Sequence, residues 1–276
     1  MKKINYPLIV SDFDGTLVKE DGTIAKETSD TIKQYIQDGG TFGICTGRLL
    51  PGILPRAKEL GLKGLLACFQ GAVIVDIETE EVLLEGYLDS EDAAEICKVM
   101  EDMDLHIHVY EFDKFYCNRD DWALKEYERI VGVQGIVYTE KPLSQRIREE
   151  KMQVVKVLTM VDPQDKMRVY EQANKLLGDR FYVTYSAAFL VEVTQKKYSK
   201  GTAVEFMANH YGVPVEKTVA VGDALNDLPM LQRAGVGLAV KNADDQLKSL
   251  VTPFGYTNEE NAIGKIIEEY GYMPEE

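Results

Sequence analysis

Both ends of the chain repeat one rhythm, in which apolar runs of four or five residues alternate with stretches of helical spacing. Tyr6–Val10, Thr41–Cys45 and Leu65–Phe69 are such runs in the first part, the last continued past a glycine by Val73–Val75. Between them Glu27–Asp38 is amphipathic and stops at Gly39-Gly40, and Ile53, Leu54, Ala57 and Leu60 mark a helix closed by Gly61. In the last part Ser199 is a candidate N-cap for a helix through Tyr211, and Thr218–Val221 and Val236–Val240 are further runs. A short helix follows Asn226 and a terminal one covers Glu260–Tyr270. Unbroken apolar strands alternating with helices have to be covered on both faces, which is the condition of a parallel sheet. The pattern predicts a doubly wound α/β core.

The middle of the chain has another texture. Val82–Leu88 alternates, Leu105–Cys117 reads as a hairpin folded at Phe112-Asp113-Lys114, and Val154–Val161 and Phe181–Tyr185 are strands separated by the helical pattern Gln164–Leu177. An α+β domain at 82–190, inserted into a discontinuous core at 1–81 and 191–276, is the expected organisation. With 45% hydrophobic and 28% charged residues the chain has material for a packed core. Its net charge of −15 argues against a nucleic-acid binder, which needs a basic footprint, and against a surface that seeks anionic lipid. No apolar run nears the roughly 20 residues of a membrane span, and the amino terminus holds no export signal, so a cytoplasmic protein is expected. Cys45, Cys68, Cys97 and Cys117 are widely spaced and read as reduced, mostly buried thiols. His106 and His108 have no third ligand near them and read as ordinary same-face strand residues; Trp122, Tyr127, Phe112 and Tyr116 read as core of the inserted domain.

Parallel α/β sheets bind ligands beyond the carboxyl ends of their strands. After the first run come Asp12-Phe13-Asp14-Gly15-Thr16-Leu17, after the second Thr46-Gly47-Arg48, and after Thr218–Val221 come Gly222-Asp223-Ala224-Leu225-Asn226-Asp227. Asp12 and Asp14 are two apart, so on an extended chain both carboxylates face one way. Like charges held together call for a cation, and Mg²⁺ suits a site of few carboxylates. Thr46 offers a hydroxyl and Gly47 an amide to phosphate oxygens. Asp223 and Asp227 add carboxylate, Asn226 can donate to phosphate, and Asp227 can cap the next helix. Lys200, beside Gly201 at a helix start, adds a cation. Each residue has a bland reading as a turn, cap or solvated charge; in this order on these strand ends they are read together as a site.

These motifs resemble those of haloacid dehalogenase-superfamily hydrolases of the Cof-like group, which carry a type IIB cap. Asp12-Phe13-Asp14-Gly15-Thr16-Leu17, Thr46-Gly47-Arg48, Lys200-Gly201, and Gly222-Asp223 with Asn226-Asp227 match the family's four motifs, and the likeness continues through Ala234–Val240 and Asn242-Ala243. The resemblance implies a Rossmann-like core with an inserted α+β cap that chooses the substrate. It implies a Mg²⁺-dependent phosphatase acting on small phosphorylated metabolites: sugar phosphates first, flavin mononucleotide or pyridoxal phosphate next. Asp12 would be the nucleophile forming an aspartyl-phosphate, and Asp14 the general acid and base. Mg²⁺ would be held by Asp12, the Asp14 carbonyl and Asp223. Thr46, Gly47, Lys200, Asn226 and the Phe13 amide would hold phosphate, with Asp227 in support. A phosphosugar mutase using the same intermediate and a non-catalytic binding protein are the alternatives. A monomer or small homo-oligomer, with neither nucleic acid nor membrane as partner, is expected. One departure stands out: Gln70-Gly71-Ala72 occupies the place where the family commonly has Asn-Gly. The resemblance turns that loop toward the cap, where Gln70 bears on substrate fit and not on the phosphoryl chemistry.

Overall fold

In the computed structural model, residues 2–186 and 189–274 are described. The chain divides into two compact units: Met1–Thr46 with Arg56–Leu83 and Ser199–Glu276, and Gly47–Pro55 with Leu84–Tyr198. Strands are numbered in chain order: β1 Leu8–Ser11, β2 Thr41–Cys45, β3 Leu65–Cys68, β4 Val73–Asp76, β5 Val82–Glu85, β6 Ile107–Tyr110, β7 Phe115–Cys117, β8 Ile136–Val137, β9 Lys156–Met160, β10 Phe181–Ser186, β11 Leu190–Gln195, β12 Thr218–Gly222, β13 Val236–Ala239 and β14 Thr252–Pro253.

The first sheet has the order β14-β13-β12-β1-β2-β3-β4-β5. From β14 through β3 every pairing is parallel, with Leu8 opposite both Thr218 and Thr41. The chain starts at β1, steps outward through β2 and β3, and later returns on the other side through β12 and β13. The order therefore reverses between β1 and β12, the position at which open α/β sheets bind their ligands. Leu8, Ile9, Val10, Ile44 and Val219 are wholly buried, each contributing about 1.5–3 kcal/mol of apolar transfer. The helix Lys26–Gln37 begins and ends within a residue of the sequence reading, and Thr28, Ile32 and Tyr35 are its buried positions. Among the described residues no helix is long and apolar enough to cross a membrane.

Three placements differ from the sequence reading. Val73–Val75 does not continue β3; the chain reverses at Phe69–Gly71 and β4 runs antiparallel to β3. β5, expected in the insertion, joins the first sheet beside β4. β11, expected in the core from residue 191 onward, pairs antiparallel with β9 and β10 in the second sheet. Its alternating Leu-Val-Glu-Val-Thr-Gln suits a strand with two unlike faces.

The second unit holds the sheet β10-β11-β9-β6-β7-β8. Ile107, Val109, Val157, Val191 and Val193 pack with Ala94, Cys97 and Met100 of the helix Ser90–Asp102, with Ile147 of Leu143–Glu150, and with Val169, Ala173 and Leu177 of Lys166–Leu177. Period-two alternation sends His108, Tyr110, Lys156 and Glu192 to the other face. There Tyr127, from the helix Trp122–Val131, lies with its ring 4.8 Å from that of His108. His106 and His108 touch through Nε2 at 2.7 Å, and His106 Nδ1 lies 2.9 Å from Asp121. Lys156 and Glu192 form a buried ion pair at 2.8 Å, and the same ammonium donates to the Gly47 carbonyl at 2.9 Å. Tyr116 and Tyr127 are core as expected, whereas Trp122, the first residue of its helix, is 58% exposed.

Candidate active site

β1 ends at Ser11, and the Asp12 N–H still donates to Val221 O of β12 at 2.9 Å, so Asp12 leaves the sheet where the strand order reverses. The chain then folds tightly: Leu17 and Val18 both donate to Phe13 O, and Gly15 sits at φ +75°. A side chain there would be strained, and its Cβ would lie 2.7 Å from Asp223 Oδ2. This turn aims Thr16 at Asp223, its hydroxyl donating to Oδ1 at 2.8 Å. Asp14, on the same turn, is exposed.

Asp223 leaves β12, the neighbour of β1. Asp227, five residues past the strand end, is fully buried and turns back over the loop, Oδ2 accepting from the N–H groups of Asp223 and Ala224 at 2.9 Å each. The expected cap is therefore not made: Asp227 precedes the helix Leu228–Arg233, but its carboxylate serves the loop behind it. Lys200 opens the helix Lys200–His210, which Ser199 and Thr202 cap reciprocally. Its buried ammonium lies 2.5 Å from Asp12 Oδ1 and 2.5 Å from Asp227 Oδ1.

Burial pulls the Lys200 ammonium toward neutrality, but the carboxylates of Asp12 and Asp227 override it and hold the lysine protonated. Burial pushes the Asp12 carboxyl well above the usual range; Lys200 opposes this, and Asp227, Asp223 and Asp14 reinforce it. Asp223 is raised to about 7, by burial first and then by Asp227. Cys45 is also buried near Lys200, and its burial keeps it a thiol.

One carboxylate oxygen from each of Asp12, Asp223 and Asp227 lies within 4.8 Å of the others. The donors are all hard oxygens, with no thiolate or imidazole among them, a set that fits a cation such as Mg²⁺. Both Asp227 oxygens are already engaged, whereas Asp223 Oδ2 borders the turn that carries Asp14. Asp12 and Asp223 are thus the carboxylates best placed to hold a cation.

Thr46, at the end of β2, is buried, its N–H bonded to Ala67 O and its carbonyl to the Gln70 N–H. Asn226 is buried with its Nδ2 donating to Gln70 Oε1 at 3.1 Å. The first unit therefore brings together Asp12, Thr46, Lys200, Asp223, Asn226 and Asp227, while Gly47 clusters with the second unit. The contact between Gln70 and Asn226 corrects the expectation that Gln70 stands apart from the residues expected to hold phosphate. Thr16, which the sequence marks only as part of the first motif, holds Asp223 through its hydroxyl.

The haloacid dehalogenase-like hydrolase family matches residues 9–267. Phosphatase YwpJ of Bacillus subtilis is 27% identical, with 94% of this chain and 98% of the relative covered. The fold is shared with a haloacid dehalogenase-like hydrolase from B. subtilis, at TM-score 0.85 and 24% identity over 95% of this chain and 99% of that one. It is shared also with a HAD subclass IIB sugar phosphatase, at TM-score 0.80 and 20% identity over 95% and 98%. Matched along nearly its whole length, with its acidic cluster at the reversal of a doubly wound sheet, the chain belongs to the haloacid dehalogenase-like hydrolases.

Proposed function

We propose that this phosphatase hydrolyses small phosphomonoesters, sugar phosphates foremost and flavin mononucleotide or pyridoxal phosphate next, through an aspartyl-phosphate on Asp12. The observation that carries the proposal is the buried cluster in which the Asp12 carboxylate meets the Lys200 ammonium at 2.5 Å, with Asp223 and Asp227 beside it. A carboxylate held by an ammonium presents one oxygen for attack while the other is fixed, which orients it as a nucleophile. Asp12 attacks phosphorus and the ester oxygen departs with the bonding pair. Asp14, exposed on the adjoining turn, supplies the proton to that oxygen and then takes one from the water that cleaves the acyl phosphate, returning Asp12 as carboxylate. Thr46, Gly47, Asn226 and the Phe13 amide hold the transferring oxygens, and Lys200 offsets their charge. Mg²⁺, when bound by Asp12, Asp223 and the Asp14 carbonyl, supplies charge neutralisation for the phosphoryl group. Asp227 supports the site by fixing the Asp223 loop and Lys200.

Sugar phosphates lead because a subclass IIB sugar phosphatase shares the fold. The insertion expected at 82–190 is proposed as the cap that selects among substrates, and the enzyme as a cytoplasmic monomer or small homo-oligomer. Phosphate release from a panel of phosphomonoesters, with Mg²⁺ and with chelator, tests the reading. Wild type should release phosphate only with Mg²⁺, and Asp12→Asn should lose at least about 10³-fold while remaining folded. Mg²⁺-dependent release by Asp12→Asn would remove Asp12 as nucleophile; an isomerised sugar phosphate with little free phosphate would point to a mutase.

A further inference from the structure

The turn Phe69–Gly71 has no part in the chemistry above, yet it touches two residues assigned to it and the residue before a third. The Gln70 N–H donates to Thr46 O at 3.0 Å. Gly71, at φ +94°, packs so closely on Ser199, the residue before Lys200, that a Cβ would lie 2.4 Å from the Ser199 carbonyl oxygen. Gln70 Oε1 accepts from Asn226 Nδ2 at 3.1 Å. The turn also adopts a conformation that side chains resist. Phe69 at φ 50° and Gln70 at φ 60° are consecutive non-glycine residues in the left-handed region, and both are buried. Such backbone persists where its surroundings hold it, and it gathers at functional sites.

Asn226 shows what the turn is holding. The residue is 6% exposed, and its Oδ1 is buried without a hydrogen-bond partner. A buried acceptor left unpaired is costly, and native structures keep few of them. Meanwhile its NH₂, the half able to donate to an anion, is engaged by Gln70. A carboxamide presents an acceptor on one side and donors on the other, and the Gln70 carboxamide offers the complement of each. The NH₂ carries two hydrogens, so with one held by Gln70 Oε1 the plane of the Asn226 carboxamide is set and the second hydrogen is left for a phosphate oxygen.

We propose that Gln70 is a positioning residue that sets the orientation of the Asn226 carboxamide and commits its NH₂ to the phosphate. The inference rests on the phosphatase reading for the identity of the anion. A double-mutant cycle over Gln70→Met and Asn226→Ala tests it, with inhibition by inorganic phosphate, KM, kcat and melting temperature as readouts. Each single substitution should weaken phosphate inhibition about tenfold, as expected for a lost hydrogen bond to a charged group. The double variant should be no weaker than Asn226→Ala alone, because Gln70 acts through Asn226. A residue that only fills space would lower the melting temperature and leave the phosphate effects multiplicative. If Gln70→Met does not fold, Gln70→Asn carries the same cycle: Asn tolerates the left-handed backbone, and its shorter amide loses reach to Asn226. Phosphate inhibition within about twofold of wild type, or effects that multiply in the double variant, would overturn the positioning role. A wild type that neither hydrolyses any ester nor binds inorganic phosphate would instead overturn the phosphatase reading itself.

Discussion

Asp227→Asn isolates what the buried charge cluster does for the fold. The substitution keeps volume and replaces one carboxylate oxygen with NH₂. In the wild type one oxygen meets the Lys200 ammonium and the other accepts two backbone N–H groups. With the NH₂ toward the loop, three donors crowd together; with it toward Lys200, an ammonium faces a donor. Either way buried donors lose their acceptor, and Lys200 keeps Asp12 as its remaining ion-pair partner in the cluster. Removing one member of a buried pair costs about 3–5 kcal/mol. One gain offsets part of this. Asp223, raised to about 7 by burial and then by Asp227, is relieved of the second influence. A net loss of about 3 kcal/mol remains, a large share of the roughly 5–15 kcal/mol that stabilises a typical protein.

At about 2–4 °C per kcal/mol for a domain of this size class, the first unit should melt roughly 6–12 °C lower. Calorimetry in chelator measures the shift, and urea unfolding should show a lower midpoint with an unchanged slope. Asp14→Asn is the control: its side chain is exposed, so it should melt within about 1 °C of wild type while losing turnover. An Asp227→Asn protein that melts within about 2 °C of wild type would refute the claim that this carboxylate holds the loop and the lysine.

Gly15→Ala combines a backbone cost of about 1–2 kcal/mol at φ +75° with a Cβ pressed against Asp223 Oδ2. The Mg²⁺ concentration for half-maximal phosphate release should rise about tenfold, the usual scale when a ligand's support is disturbed; an unchanged requirement would detach Asp223 from the cation. The buried histidines predict acid lability of the second unit. Burial lowers both His106 and His108; Asp121 opposes the shift at His106 and Arg119 adds to it, while His106 and Lys156 deepen it at His108. The unfolded chain therefore takes up protons first, so stability present above pH 6.5 is lost as pH falls from there toward the folded values, at up to about 1.4 kcal/mol per pH unit for each histidine. Melting temperatures between pH 5 and 8 should show this slope, and His108→Phe should flatten it; equal slopes would exclude the pair as its source.

What was legible in the sequence was local. Asp12, Thr46 and Asp223 each follow an apolar strand directly, so strand-end reasoning finds them without knowing the sheet order. Ser199 was legible as a cap because capping is decided within four residues. The reversal at Phe69–Gly71 was not, since turns into the left-handed region are signalled by Gly or Asn, and here Phe69 and Gln70 make it. The sheet that β11 joins is not legible either, because alternation shows that a strand has two faces and does not say which sheet it joins. Sequence position makes the Asp227 side chain a forward cap, yet two loop N–H groups behind it and Lys200, 27 residues away, compete for it and win.

The charges account for why such a cluster is kept. Asp12, Asp223 and Asp227 with one ammonium, that of Lys200, leave two negative charges uncompensated when all are ionised. Burial resists this, and the raised Asp12 and Asp223 carboxyls are the form the resistance takes. A fold selected for stability alone would replace these groups with apolar ones of similar volume, since buried ion pairs are commonly matched or bettered that way. Their retention at the reversal point of the sheet makes sense if a divalent cation completes the balance and a phosphate then enters a site no longer hostile to anions. The same arithmetic orders the variants. Neutralising Asp12 removes a buried charge and should leave the fold intact while ending catalysis; neutralising Asp227 removes the acceptor that organises the cluster and should weaken the fold first.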